Sequence, residues 1–298
     1  MLLKAQERIM KKHLLTVLLI SILIFFSASC HHVVKGDAFL MSNKQEVKLG
    51  EQVHKELLKE FKLYQNPTVN NYVKGVGKKI VSKCDRKDIT YHFFVLDTKM
   101  INAFAAPGGY IYVTTGMLGF LNNEAELACV LGHEIAHVTE RHGAKRMREV
   151  LGYQILAVGL AASGVAVDAQ ILNLGVNLAM NGYSQDNEYE ADEKGIIYAN
   201  RAGYNPNAMQ NFFLRLEEKN KSKSDYNTFV RMLSSHPPTR SRINKAHEIQ
   251  KKHNMMGVNV PKYYADRYSP IKQIVTGKKQ GQQSPKEKKD KKKPKGKK

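Results

Sequence analysis

The chain has 298 residues, 42% of them hydrophobic, which is enough for one large domain or two small ones. Its formal net charge of +20 is unevenly placed, because residues 278–298 carry +9 and the first 29 residues carry +3. The remaining +8 is an ordinary basic balance. The lysine-rich tail has no aromatic residue on which a base could stack, so nucleic acid is excluded as an expected partner.

The N-terminus has the pattern of an export signal. Four basic residues within 4–12 precede an apolar run over 14–26, which is shorter than the roughly 20 residues of a membrane span. SASC at 27–30 then resembles a bacterial lipoprotein cleavage site, although Ser27 stands where leucine is usual. We expect a signal peptide over 1–29, a lipidated Cys30 and a linker over 30–43. Ordinary signal cleavage and an uncleaved anchor are the alternatives.

The next segment predicts a mixed structure. Residues 46–62 and 68–82 read as helices. Residues 90–96 and 110–115 read as strands because they are rich in aromatic and β-branched side chains. The Pro-Gly-Gly sequence at 107–109 predicts the turn before the second strand.

The sequence LACVLGHEIAHVTERHG follows at 127–143. On a helix, His133 and His137 project from one face, one turn apart, and can bind the same metal ion. Glu134 is rotated about 100° from His133, so it would lie beside the metal without being a ligand. The spacing favours a zinc site, and a chance match on an ordinary helix is the alternative.

The limits of this helix and its other polar residues can also be predicted. Asn123 followed by Glu126 is a capping-box-like start, and Gly143 is a plausible stop. His142 lies about 180° around the helix from the first histidine and cannot converge with it unless the helix breaks first. Cys129 is expected to be a buried thiol, because a further zinc ligand would close a catalytic site.

A second apolar stretch covers 150–180. Only 31 residues are present, whereas a transmembrane hairpin would need two spans of about 20 residues each. Glycines and polar residues also interrupt the stretch. We therefore expect two packed helices that turn near 164–168.

Two histidines cannot hold a catalytic zinc ion alone, so a third ligand is needed. The best candidate lies in NEYEAD at 187–192, where Glu188 and Asp192 share a helix face. Glu190 points about 200° away from Glu188, and Ser184 could cap this helix. Glu188 could be the third ligand and Asp192 could hold a ligand histidine through its second ring nitrogen. A solvated acidic face is the alternative.

The sequence SSHPPTRSRI at 234–243 places a histidine just before a proline pair. Pro237 and Pro238 favour a sharp helix start. His236 could then approach the open position of the zinc ion or donate a hydrogen bond to an oxyanion. A capping histidine and a surface arginine at Arg242 are the structural alternative.

Together these motifs resemble the HtpX/BepA-type family of zinc metallopeptidases, which are gluzincins. The resemblance runs from about residue 44 to about residue 250 and rests on the order and content of four segments. These are NAFAAPGGYIYVTTG (102–116), NNEAELACVLGHEIAHVTERH (122–142), YSQDNEYEADEKG (183–195) and SSHPPTRSRI. It implies an α+β fold, mostly helical and zincin-like, with a small β-sheet beside the active-site helix.

The resemblance also implies roles for individual residues. One Zn²⁺ ion per chain would be held by His133, His137 and Glu188, with Glu134 as general base. It suggests a catalytic or regulatory role for His236. Asp192 and Arg242 would support the ligands from outside the metal's own shell.

In zinc peptidases of this plan an edge strand beside the site pairs with the backbone of the substrate. We therefore expect the strand after the Pro-Gly-Gly turn to bind substrate, with an ordinary core strand as the alternative. Its residues are Tyr110, Ile111, Tyr112, Val113 and Thr114.

The expected protein is a zinc endopeptidase of a bacterial cell envelope, facing the periplasm or exterior on a lipid anchor. Its peptidase domain would span 44–255, followed by an unassigned segment over 256–277 and a disordered tail over 278–298. The resemblance implies unfolded or misassembled envelope proteins as substrates. A non-cleaving chaperone and a polyanion-binding envelope protein are the competing hypotheses.

The lipoprotein hypothesis predicts a mature chain that begins at Cys30 and carries lipid. Mass spectrometry of the N-terminal peptide of the exported protein measures this directly. An unmodified Cys30, or a chain that still begins at Met1, would show that the hypothesis is wrong and would leave the peptidase hypothesis intact.

Overall fold

The computed structural model describes residues 41–150, 169–222, 236–237, 240–255 and 262–277. These residues belong to one compact unit, Met41–Lys298. The predicted signal peptide, Cys30, the turn near 164–168 and the lysine-rich tail lie outside the described residues. Predictions about them stay predictions.

Two capped helices begin the described part. Helix α1 is Asn43–Glu60, where the Ser42 hydroxyl and the Gln45 side chain form a reciprocal capping box. Helix α2 is Pro67–Val81, where the Asn66 side chain accepts from the Val69 amide. Both helices were predicted from the sequence to within three residues at each end.

A three-stranded sheet follows, made of β1 (His92–Leu96), β2 (Ala103–Ala106) and β3 (Tyr110–Thr114). The strand order is β1-β3-β2, with β1 parallel and β2 antiparallel to β3. A 3-10 turn, Pro107–Gly109, joins β2 to β3. The sequence did not predict β2, because its residues, AFAA, include no β-branched side chain.

The prediction that Tyr110–Thr114 is an edge strand is wrong. The strand β3 lies in the middle of the sheet, and its backbone pairs with β1 on one side and β2 on the other. Its five residues are all buried. Strand β2 lies at one edge of the sheet and β1 at the other, and β2 contacts the histidine-bearing helix.

That helix is the most buried helix among the described residues. After the short helix α3 (Thr115–Phe120), helix α4 runs over Glu124–Thr139, and every residue from Glu124 to Val138 is buried. The predicted Asn123 cap is confirmed, since its side chain accepts from the Glu126 amide at 2.9 Å. The predicted stop at Gly143 is wrong, because the helix ends at Thr139 and residues 142–150 are helical again.

Five further helices follow in the described part of the chain, and three of them, Gln185–Arg201, Asn207–Ser222 and Ala265–Thr276, contact α4. The five are α5 (Ala169–Asn181), α6 (Gln185–Arg201), α7 (Asn207–Ser222), α8 (Arg240–Lys252) and α9 (Ala265–Thr276). Tyr268 and Ile271 of α9 are buried, so part of the unassigned segment 256–277 packs on the core. In the described ranges, no helix combines the length and apolar character needed to cross a membrane. The mostly helical α+β fold with a small sheet is confirmed.

Helices α4 and α6 cross at a contact between two glycines. A Cβ atom added to Gly195 would lie 2.6 Å from the backbone nitrogen of His133, and one added to Gly132 would lie 2.7 Å from the carbonyl oxygen of Gly195. Backbone atoms cannot move aside as a flexible side chain can. The two glycines therefore set how closely the helices approach.

We predict that Gly195→Ala destabilises the protein by about 1–3 kcal/mol, because the added methyl group forces the helices apart. Gly75→Ala is the matched control, since nothing lies within 4 Å of its added Cβ and the residue is exposed on α2. It should be neutral or stabilise by up to about 1 kcal/mol. Urea unfolding in the presence of a chelator measures both, and equal effects of the two substitutions would contradict the prediction.

Candidate metal centre

Four buried side chains converge where α4, α6 and the start of α8 meet. They are His133, His137, Glu188 and His236, and one donor atom from each lies within 4.8 Å of all the others. The Nε2 atoms of His133 and His137 are 3.0 Å apart. They lie 3.4 Å and 3.5 Å from the two carboxylate oxygens of Glu188. The structure thus brings together all three residues predicted as ligands.

These distances suit a small metal ion. Two donors bound tetrahedrally at 2.0–2.1 Å from one ion lie about 3.3 Å apart, and the three donor separations are close to this value. Two imidazoles and a carboxylate are the donor types that zinc accepts. Burial lowers the pKa of His137 well below its usual value.

His236 is placed as a fourth donor. Its Nδ1 atom lies 3.3 Å from Nε2 of His133 and 2.9 Å and 3.0 Å from the Glu188 oxygens. Pro237 follows it, and its carbonyl oxygen accepts from Arg242 at 3.2 Å. His236 therefore offers a fourth donor atom to the space bordered by the three predicted ligands.

Glu134 borders the same space without belonging to the donor group. The side chain is 2% exposed, and Oε1 lies 3.8 Å from Nε2 of His236. Its other oxygen is fully buried and has no hydrogen-bond partner among the described residues. Burial raises the pKa of this carboxyl group. A buried carboxylate oxygen that has no partner in the protein is suited to interact with something other than the protein.

Asp192 and Arg242 contact the donor residues without belonging to the donor group. Asp192 lies 2.9 Å from Nδ1 of His133, although the ring N–H and the carboxylate are not aligned as an ideal hydrogen bond. Arg242 donates twice to Asp192, at 2.7 Å each, and approaches Glu188 at 3.0 Å. Burial raises the pKa of Asp192, but Arg242 outweighs this and lowers it below its usual range. Arg242, 2% exposed, is therefore not a surface arginine.

A continuous helix would have kept His142 away from the other histidines, but helix α4 ends before this residue. Arg141 adopts a left-handed conformation, with φ of 56°, just after the helix ends. The turn brings Nδ1 of His142 to 2.8 Å from Nδ1 of His137, on the side away from the donor group. Glu190 lies 3.1 Å from the other nitrogen of His142. The sequence did not predict these contacts, because no local signal indicated a left-handed arginine.

Tyr183 is a further neighbour of the donor group that the sequence did not predict. Its ring stacks on that of His137 with centroids 4.2 Å apart and an angle of 21° between planes. It directly precedes Ser184, whose predicted cap of α6 is confirmed. Its proximity to that cap was the one available signal, and spacing alone does not show that the ring turns toward α4.

The fold and this centre define the class of the protein: a helical zincin-like metallopeptidase. The chain belongs to peptidase family M48, whose family model matches residues 67–250. The match includes all four donors, Glu134 and the residues behind them.

Named relatives agree with this family. The chain is 31% identical over 217 residues to the "Beta-barrel assembly-enhancing protease" of Yersinia pestis, covering 69% of this chain and 44% of that protein. It is 29% identical over 210 residues to "Mitochondrial metalloendopeptidase OMA1" of Schizosaccharomyces pombe, covering 68% and 60%. It is 26% identical over 212 residues to "Metalloprotease LoiP" of Escherichia coli, covering 69% and 80%. The chain thus spans less than half the length of the first relative.

Proposed function

We propose that the chain is a zinc-dependent endopeptidase. The observation that carries this proposal is the buried group of four donors, with the carboxylate of Glu134 beside it. Membership of a metallopeptidase family supports the same reaction class.

In this proposal His133, His137 and Glu188 hold one Zn²⁺ ion. Zinc bound there would polarise the scissile carbonyl and make water a better nucleophile near neutral pH. Glu134 accepts the proton of the attacking water and passes it to the leaving amine, acting as general base and then as general acid. Its position next to the donors but outside them supports this role.

The other residues hold the ligands in place. Asp192 orients the His133 ring, and Arg242 balances the charge of two carboxylates at once. His236, as a fourth donor, has to leave its position before a substrate carbonyl can enter. Once displaced, it is close enough to donate a hydrogen bond to the oxyanion.

We propose β2, rather than β3, as the strand that pairs with the substrate backbone. It lies at the sheet edge and contacts α4. Its four residues are only 1–3% exposed, and helix α5 contacts the strand. Substrate pairing therefore requires α5 to move aside. Backbone pairing reads extended chain with little sequence preference, which suits unfolded polypeptides as substrates.

For location, we propose a bacterial envelope protein held to a membrane through lipidated Cys30. The export-type N-terminus and the names of relatives that refer to β-barrel assembly support this. Misassembled envelope proteins are the substrate class that follows.

We predict that His133→Ala, His137→Ala and Glu188→Gln each lose most of the bound zinc, because each removes one of three ligands. Glu190→Gln is the matched control on the same helix as Glu188. It should keep zinc, since Glu190 lies outside the donor group and the amide oxygen of glutamine can still accept a hydrogen bond from Nε2 of His142. Metal analysis of the purified variants gives the result. Loss of zinc from Glu190→Gln alone would contradict the ligand assignment.

We predict that Glu134→Gln keeps its zinc and its fold but loses activity by at least about 10²–10⁴-fold, because an amide cannot accept the proton of water. Capture of an unfolded substrate should survive, since it uses backbone hydrogen bonds of the edge strand. Zinc content, turnover of an unfolded protein and substrate capture are compared with the wild type.

Unchanged turnover in Glu134→Gln would remove the general-base assignment. Capture by both forms with turnover by neither would favour the non-cleaving chaperone. Salt-sensitive binding that depends on residues 278–298, in a protein without zinc, would favour the polyanion-binding hypothesis.

A further inference from the structure

Behind the proposed metal ligand His137 lies a chain of two further polar residues. The Nδ1 atoms of His137 and His142 are 2.8 Å apart, and both side chains are buried. The other ring nitrogen of His142 lies 3.1 Å from Oε2 of Glu190. Glu190 is 45% exposed, so its carboxylate connects this buried pair to solvent.

The two contacts, together with a metal ion on Nε2 of His137, would determine where each proton lies. A neutral imidazole has one N–H, so a His137 ring that offers Nε2 to a metal carries its proton on Nδ1. That N–H can donate only to a bare Nδ1 on His142. The proton of His142 must then lie on Nε2, where it donates to the Glu190 carboxylate. One arrangement of tautomers thus satisfies every polar atom in the chain.

We propose that His142, anchored by Glu190, is a positioning residue for His137: its Nδ1 acts as the hydrogen-bond acceptor that holds His137 in the metal-binding tautomer and orientation. This inference rests on the proposed function, in which His137 is a ligand. Outer-shell partners of this kind typically change metal affinity by about 10–100-fold.

The backbone is arranged to make this contact. Arg141 adopts a left-handed conformation that non-glycine residues seldom adopt, so contacts with the surrounding structure must hold its backbone in place. Its guanidinium donates to buried Glu46 at 3.1 Å and to the carbonyl oxygen of Met41. The ring of Tyr183 stacks on that of His137 and so restricts its rotation. The strained turn places His142, rather than its neighbours, against the ligand.

Two isosteric substitutions separate hydrogen bonding from packing. In His142→Asn the amide oxygen can occupy the position of Nδ1 and still accept from His137. In His142→Gln the amide lies near the position of Nε2 and leaves the Nδ1 acceptor missing. We expect zinc affinity, measured by competition with a chromogenic chelator, to fall about 10–100-fold in His142→Gln and His142→Ala. His142→Asn should stay within about threefold of the wild type.

Two further measurements exclude a merely structural role. The thermal midpoint of each chelator-treated variant reports folding without metal, and the visible spectrum of the Co²⁺-loaded protein reports the ligand field directly. We expect the Co²⁺ spectrum of His142→Asn to match that of the wild type and the spectrum of His142→Gln to differ from it. Equal affinities in all four proteins, or an equal loss in Asn and Gln, would overturn the proposal. If His137→Ala also keeps its zinc, the ligand assignment itself fails, which is a distinguishable result.

Discussion

The close crossing of helices α4 and α6 is the constraint on which the centre depends. Gly132 and Gly195 allow the two backbones to meet with no side chain between them. His133 follows directly on one helix, and Glu188 and Asp192 lie one to two turns before Gly195 on the other. Because imidazole and carboxylate side chains are short, only such an approach brings the histidine nitrogens of α4 to 3.4–3.5 Å from the Glu188 oxygens of α6.

A centre this buried has to balance its own charges. Glu134, Glu188 and Asp192 are 0–2% exposed, and removing three carboxylates from water is costly unless cations face them. Arg242 faces two of them with a planar guanidinium, which a lysine could not replace in a bidentate arrangement. The third, Glu134, has a free oxygen, and this incomplete balance marks the position where chemistry is proposed.

The same burial limits access. His236 stands at the fourth donor position, and the edge strand β2 is covered where helix α5 contacts it. In the described structure a polypeptide can reach neither the donors nor the strand without displacing part of the protein. The proposed endopeptidase would therefore act only after two local movements, one of a histidine and one of a helix.

The sequence determined what depends on local periodicity and side-chain chemistry. The 3.6-residue repeat placed His133 and His137 on one face and separated Glu190 from Glu188, and cap residues such as Asn123 and Ser184 fixed where helices begin. Resemblance between motifs supplied the third ligand, which spacing had left open.

Only the tertiary structure decided the sheet order, because the sequence of a strand does not state which neighbours it pairs with. The prediction that β3 is an edge strand was wrong for that reason. Only the tertiary structure showed the left-handed Arg141 and the return of His142, because that backbone conformation is stabilised by Glu46, 95 residues away in the chain.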